Sequence, residues 1–305
     1  LSSAASDVYK RQHPKRAQIL AENVVKFGHP EVVVTNNYAI DYQRAGLRFG
    51  LILADMPCSG EGMFRKDPES IGEWSPANVE KCAALQRSIL ADIWPCLLPG
   101  GLLIYSTCTF NAHENEDNIA FAVEELGAEP VAIPVEEAWQ VAGPLTGPHP
   151  ICRFIPGTTR GEGLAVALLR KPETAADLPS RDRGKGRTTP LLCVLSDGVK
   201  PPQVKGKKTL PDVSQALTIL DEANPYPRVD VGYDEAIAYL RRESITLPAA
   251  APKGLVTVCH EGFALGFAKN LGTRANNLYP QEWRIRSTHR PEERPVVGLT
   301  PIVHP

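Results

Sequence analysis

Residues 50–66 read GLILADMPCSGEGMFRK, and this stretch decides the fold. Leu51 to Ala54 is an apolar run of the length and character of a buried parallel strand. Asp55 ends it, and Pro57, Gly60 and Gly62 forbid both its continuation and an immediate helix. Ligands in open α/β sheets bind beyond the carboxyl ends of the strands. The turn therefore carries an acid (Asp55), a thiol (Cys58) and a basic pair (Arg65, Lys66) to a place suited to chemistry. Residues 101–111, GLLIYSTCTFN, repeat the pattern, with Cys108 just past a second apolar run. Two strands each deliver a cysteine to one edge.

A chain of 305 residues is long enough for one domain with a substantial core and a second, smaller one. No stretch has the apolar length needed to cross a bilayer, and the first residues lack the order of a secretory signal, so a cytoplasmic location is expected. Seven cysteines, thinly spread and without a Cys-x-x-Cys pair, fit reduced thiols better than a disulfide framework or a zinc ribbon. A net charge of −2 gives no overall attraction to nucleic acid, so any RNA-binding face must come from local clustering. Residues 1–12, which hold the small-residue run Ser2 to Ser6 and no Met, read as a non-native scar in place of a lost amino-terminal region.

Along the chain, Ala17, Leu20, Ala21, Val24 and Phe27 have helical spacing between Pro14 and Gly28. Val32 to Val34 form a short strand ending at Thr35, Asn36 and Asn37. Ser75 and Pro76 open a long amphipathic helix running toward Leu97, with Pro99, Gly100 and Gly101 as its stop. Asn115 and Glu116 open another, which closes near Leu126 and Gly127. Helix and strand alternate, so βαβ crossovers and a mainly parallel sheet are expected over 13–171. Cys152 to Ile155 and Leu164 to Leu169 are expected as antiparallel edge strands. Residues 172–190 have no apolar face and read as a linker. In 191–286, short helices are expected over 216–220 and 233–241, and strands over 255–258 and 265–268 with a turn at Glu261 and Gly262. That is a small α+β or barrel-like module, and the Pro-rich tail 287–305 is expected to be irregular.

A thiolate is a strong nucleophile whose use depends on a depressed pKa, which a basic neighbour such as Arg65 or Lys66 can supply. One thiol can attack an electron-poor carbon while the other handles protons, and Asp55 can hydrogen-bond an amide-like edge of a substrate. Cys82, Cys96, Cys152, Cys193 and Cys259 read as packing residues. Cys58 and Cys108 do not, because each sits among Gly, Ser, Thr and Asn. Cysteine-phosphatase chemistry is out of register, since Arg65 stands one residue too far from Cys58. A phosphate loop is excluded because Asp67 follows Lys66. No metal ligand set is present, with only His113 near Cys108.

Asp55 to Lys66 together with Ser106 to Asn111 resembles the signature pair of the Nol1/Nop2/Sun (RsmB/NOP) family of RNA cytosine-5 methyltransferases, most closely its bacterial RsmF-like branch. The likeness spans about 13–171 and extends over 225–286, where Asp234 to Leu240 and Gly262 to Pro280 resemble the family's PUA-like RNA-binding domain. The resemblance implies a class I, Rossmann-like methyltransferase fold, here partial, followed by that small α+β domain. It implies S-adenosyl-L-methionine as cofactor, ribosomal or transfer RNA as partner, no membrane and a monomer.

By the same resemblance Cys108 adds to carbon 6 of cytosine, Cys58 assists release, and Asp55 holds the base edge. Asp55, Asn36 and Asn37 line the cofactor, although asparagines after a strand also serve as turn formers. RNA contacts fall to Arg65, Lys66, Lys269 and Arg274, with further basic runs at Arg181 to Arg187 and Lys205 to Lys208. Phe64 and Trp74 stack on a base or pack in the core. Met56, Ala112 and His113 depart from the family's usual Ala, Pro and Glu. The family's glycine-rich cofactor loop and the acidic residue before His13 are absent, so this chain is expected to be catalytically crippled. The alternative is a non-catalytic RNA-binding or ribosome assembly factor that retains the fold.

Overall fold

The structure is a computed structural model that describes residues 14–159, 161–175, 192–205, 208–220 and 224–289. The scar reading at 1–12, the basic run 181–187 and the tail beyond His289 lie outside the described residues, as do most of the linker and the side chains of the 205–208 lysines. The elements in chain order are α1 (Pro14–Phe27), β1 (Val33–Thr35), α2 (Ala39–Arg44), β2 (Phe49–Asp55), α3 (Glu69–Glu73), α4 (Pro76–Ile93), β3 (Leu97–Thr107), α5 (Glu116–Leu126), β4 (Glu129–Val131), β5 (Cys152–Phe154) and β6 (Leu164–Arg170). They continue as β7 (Val194–Asp197), β8 (Gln203–Lys205), β9 (Lys208–Leu210), α6 (Val213–Leu217), β10 (Arg228–Asp230), α7 (Tyr233–Leu240), β11 (Gly254–His260), β12 (Phe263–Asn270) and β13 (Ala275–Asn277). Two compact units form, one through Ala17 and over Thr35–Val194, the other over Gln18–Val34 and from Leu195. All but the first turn of α1 thus falls in the second unit.

In the first unit a sheet runs in the order β2-β3-β6-β4, with β5 also paired to β6. β2 and β3 are parallel, in a register that sets Asp55 opposite Ser106. β6 is antiparallel to β3, β4 and β5. The mainly parallel sheet expected from the sequence is therefore corrected to one direct parallel pair. β6 arrives from β5 through a loop rather than a helix, so it must run back, and it does so between β3 and β4 rather than at an edge. The βαβ crossover through α5 survives, since β4 runs in the direction of β3 with β6 inserted between them. β1 lies outside this sheet and pairs with β7.

The helix α4 begins as read. Ser75 is extended and its Oγ accepts a hydrogen bond from the Asn78 N–H at 3.2 Å, with Pro76 in the first turn. Val79, Cys82, Ala83, Gln86, Leu90 and Ile93 form its buried face. The helix stops at Pro95, which has no N–H to continue the ladder and sits in a short 3-10 turn. Pro99 to Gly101 are not the helix stop but lie inside β3, where the register against β2 slips. A Cβ at Gly101 would stand 2.8 Å from the Leu98 carbonyl oxygen, so this kink requires glycine. Ile52, Leu90, Leu97, Leu103, Tyr105, Ile119 and Leu169 form the core that holds β2 and β3 in place.

The second unit carries a sheet in the order β10-β11-β12-β13, parallel between β10 and β11 and otherwise antiparallel. Val229, Tyr239, Val256, Val258 and Ala268 fill its core. The Glu261–Gly262 turn joins β11 to β12 as read. α6 begins three residues earlier than expected because Asp212 caps it, accepting from Ser214 N at 3.0 Å while Gln215 accepts from Asp212 N at 3.2 Å. No helix among the described residues is long and apolar enough to cross a membrane.

Candidate active site

The parallel register carries the two loops out side by side. Ser106 Oγ donates to Asp55 Oδ1 at 3.2 Å, and the Met56 N–H continues the pairing to the Ser106 carbonyl at 2.8 Å. Three residues past Asp55 and two past Ser106 the thiols meet. Cys58 Sγ lies 3.1 Å from Cys108 Sγ, and both are free and half-buried. Asp55 is exposed at the end of β2. The three residues singled out from the sequence are therefore brought to one edge.

Two carboxylates fix this geometry, and neither was identified from sequence. Glu61, on the loop that bears Cys58, accepts from Phe110 N at 2.5 Å, Asn111 N at 3.1 Å, Asn111 Nδ2 at 3.0 Å and Trp74 Nε1 at 3.1 Å. Glu114, beyond Cys108 and fully buried, accepts from Ser59 N at 2.9 Å, Ser59 Oγ at 2.5 Å, Gln86 Nε2 at 2.8 Å and Asn111 Nδ2 at 2.8 Å. Four donors offset the cost of burying that charge. Gln86 also donates to the Pro57 carbonyl at 2.7 Å. The signal available was the polar run Asn111 to Asn118, too polar for an ordinary helix entry behind a buried strand. Gly62 completes the junction: its N–H donates to the Cys108 carbonyl at 2.7 Å, and a Cβ there would stand 2.5 Å from that oxygen.

The thiols are unequal. The Cys58 S–H hydrogen-bonds the Cys108 sulfur and holds the Cys108 thiol below its ordinary range, aided by the Gly62 N–H and opposed by burial and by the Asp55 charge. Cys58 is pushed far up, first by that same hydrogen bond and then by burial. Cys108 is the sulfur that ionises, and Cys58 is the one that keeps its proton.

The remaining residues separate. Asn37 is engaged away from the thiols: its Oδ1 accepts from Cys193 N at 2.9 Å and its Nδ2 reaches Asp41 at 3.5 Å, while Asn36 N donates to the Cys193 carbonyl at 2.9 Å. Arg65 donates to the Gly161 carbonyl at 2.9 Å and to Glu162 at 3.1 Å, so its guanidinium is already paired within its own unit. Lys66 is exposed. Trp74 spends its N–H on Glu61. Lys269 and Arg274 are exposed on the second unit.

An α/β unit in which two neighbouring parallel strands end in touching thiols, with an acid at the strand end, matches the Rossmann-like methyltransferase fold expected from the sequence. The chain belongs to the RsmB/F family: the family model described as "16S rRNA methyltransferase RsmB/F" matches residues 3–170, and that described as "Methyltransferase RsmF PUA domain" matches residues 226–285. The chain is 26% identical over 318 residues to "Ribosomal RNA small subunit methyltransferase F" of Enterobacter sp. (strain 638), covering 88% of this chain and 65% of that protein. It is 30% identical over 286 residues to the protein of the same name from Salmonella paratyphi A (strain ATCC 9150 / SARB42), covering 77% of this chain and 58% of that one. Among solved structures, NSun6 from Pyrococcus horikoshii with SFG is 28% identical, covering 45% of this chain and 33% of that chain at a TM-score of 0.38. The chain thus spans about two thirds of the Enterobacter relative.

Proposed function

We propose that this chain carries the catalytic centre of an S-adenosylmethionine-dependent RNA methyltransferase that modifies carbon 5 of cytosine, with its PUA domain engaging the RNA. The relatives' names favour ribosomal over transfer RNA as substrate. A cytoplasmic monomer is the expected state. The observation that carries the reading is the 3.1 Å contact between Cys58 Sγ and Cys108 Sγ beside Asp55.

Asp55 fits the cofactor, because an exposed carboxylate at a strand end complements a positively charged sulfonium. Asn37 fits less well, being held by Cys193 and Asp41. S-adenosylmethionine, when bound, supplies an electrophilic methyl group. Cytosine carbon 5 is too weak a nucleophile to take it unaided. Cys108, the thiol whose pKa the Cys58 S–H lowers, adds to carbon 6 as the thiolate and turns carbon 5 into an enamine-like nucleophile. Asp55 accepts a hydrogen bond from the amino group of the base, and a proton drawn from solvent to the ring nitrogen, held between that nitrogen and the Asp55 carboxylate, neutralises the negative charge that addition moves there. After transfer, the carbon 5 proton must leave so that its electron pair can rebuild the ring double bond and expel the Cys108 thiolate. Once Cys108 is bonded to carbon it carries no charge, and the hydrogen bond that most raises the Cys58 pKa disappears. Cys58 can then ionise and take that proton.

The test is incubation of the chain and its variants with S-adenosylmethionine and a cytosine-containing ribosomal RNA fragment, followed by denaturing electrophoresis. Cys58→Ala should accumulate a covalent protein–RNA adduct, and Cys108→Ala and the double variant should give none. A Cys58→Ala protein that turns over normally rejects the mechanism.

A further inference from the structure

The carboxy-terminal unit has a cleft at the end of α7, bounded by Arg241, Arg242, Arg274, Arg284, Asn276 and Gln281. Four arginines face one acidic neighbour in the lining, Glu243. The backbone beneath is unusual. α7 caps at Arg241, and the following residue turns into the left-handed region, with Arg242 N donating to the Tyr239 carbonyl at 2.9 Å and Glu243 N to the Ala238 carbonyl at 2.9 Å. Arg242 has φ +65°, a conformation that helix ends normally give to glycine or asparagine.

The strain places a guanidinium at the cleft, where Arg242 is hydrogen-bonded to Gln281. Arg241 Nη2 donates to the His289 carbonyl at 3.0 Å, while its Nε is buried without a hydrogen-bond partner among the described residues. Asn277 braces the wall by donating to the Tyr239 and Glu243 carbonyls at 2.9 and 3.0 Å. Lys269 is the cross-strand partner of Asn276 and so lies on the same sheet face. Guanidinium groups in a fork geometry, interleaved with neutral amides, match phosphate oxygens beside base or sugar polar groups.

We propose that this cleft binds consecutive phosphates of an RNA strand, with Arg242, Arg274 and Arg284 as the ion-pairing groups. The inference rests on the RNA reading above and names the surface that serves it. It is tested on the whole chain by fluorescence anisotropy with a labelled single-stranded RNA of mixed sequence, titrated at several salt concentrations without cofactor. Arg274→Gln combined with Arg284→Gln should weaken binding and reduce the salt slope by about 0.7 for each arginine removed.

Arg242→Gly is the discriminating variant. It relieves the left-handed strain, so the melting temperature should stay level or rise while affinity falls. Unchanged affinity and salt slope in both variants overturn the proposal, as does an affinity loss that only follows a falling melting temperature. The readout needs no turnover, so failure here leaves the methyl-transfer reading to its own adduct test.

Discussion

Glu61 and Glu114 cross between the same two loops in opposite directions. Glu61 leaves the Cys58 loop to bind Phe110 N and Asn111, and Glu114 leaves the Cys108 side to bind Ser59 N and Oγ. Asn111 Nδ2 is shared between them, at 3.0 Å from Glu61 and 2.8 Å from Glu114. The separation of the two sulfurs is thus set by a pair of reciprocal carboxylate struts rather than by the strands alone.

Removing a strut should loosen the thiol pair. Glu114→Ala removes the acceptor of four donors, three of them in buried hydrogen bonds, and is expected to cost about 3 kcal/mol or more in urea unfolding. Glu61→Gln keeps the shape but, in either orientation of the amide, sets a donor against two N–H donors that one carboxylate oxygen accepted, at a cost of about 1–2 kcal/mol. In Glu61→Gln, the joining of Cys58 to Cys108 by oxidised glutathione should slow relative to the parent chain, and an unchanged rate would refute the strut role.

The inequality of the thiols predicts a pH profile. Alkylation of Cys108 by iodoacetamide, followed by mass spectrometry, should rise through a midpoint below the ordinary thiol value of 9.0. Cys58→Ala removes the S–H that stabilises the Cys108 thiolate, so the midpoint must move up. Asp55→Asn removes a repelling charge, so it must move down. A downward shift in Cys58→Ala would show that Cys58, not Cys108, ionises first, and an upward shift in Asp55→Asn would show that the Asp55 charge does not act on Cys108.

Gly62→Ala would place a methyl group 2.5 Å from the Cys108 carbonyl oxygen and 3.1 Å from its Cβ. Backbone cannot yield as a side-chain tip can, so the hydrogen bond from Gly62 must break. A loss of about 1–3 kcal/mol in stability is expected, with slower Cys108 alkylation at fixed pH. Wild-type behaviour in both measurements would mean the loop has room that the structure does not show.

Arg153 and Glu116 form an ion pair with 0% and 5% side-chain exposure at 2.5 Å. Arg153 also donates to the Gly143 carbonyl at 3.1 Å, and Glu116 accepts from Leu145 N at 2.6 Å, pinning the 143–145 segment to the start of α5. Glu116→Ala should destabilise by about 3–5 kcal/mol, because it leaves a buried guanidinium without its counter-charge. Thermal melting of Glu116→Ala against Glu116→Gln checks this, with the amide variant expected to fall between.

Much of this was legible in the chain. The strand end at Asp55 followed from an abrupt change of residue type, the second apolar run reads only to Tyr105, two residues short of the end of β3, and the meeting of Cys58 with Cys108 followed from both lying beyond neighbouring strands. Local signals also gave the Ser75 cap and the Glu261–Gly262 turn. The place of β6 was not legible, because an apolar run such as Leu164 to Leu169 records burial but not which strand it will sit beside. Glu61 and Glu114 were missed for a related reason: a carboxylate reads as a surface residue until the donors around it, contributed from segments some fifty residues away, are known. Asn37 reads as a cofactor contact or a turn former, and its hydrogen bond to Asp41 is local, whereas its bond to Cys193 is a long-range pairing that no local pattern announces.

The insertion of β6 between β3 and β4 has a consequence for how the protein is made. While the ribosome is still translating the segment before Leu164, the flank of β3 that will receive β6 has no partner, and the peptide groups from Leu102 to Thr107 lie open along it. A nascent chain stalled or cleaved in that interval carries an unfinished strand edge, the kind of surface on which chains stick to one another. Completion of this half of the molecule during synthesis therefore waits for Leu164 to Arg170 to leave the exit tunnel.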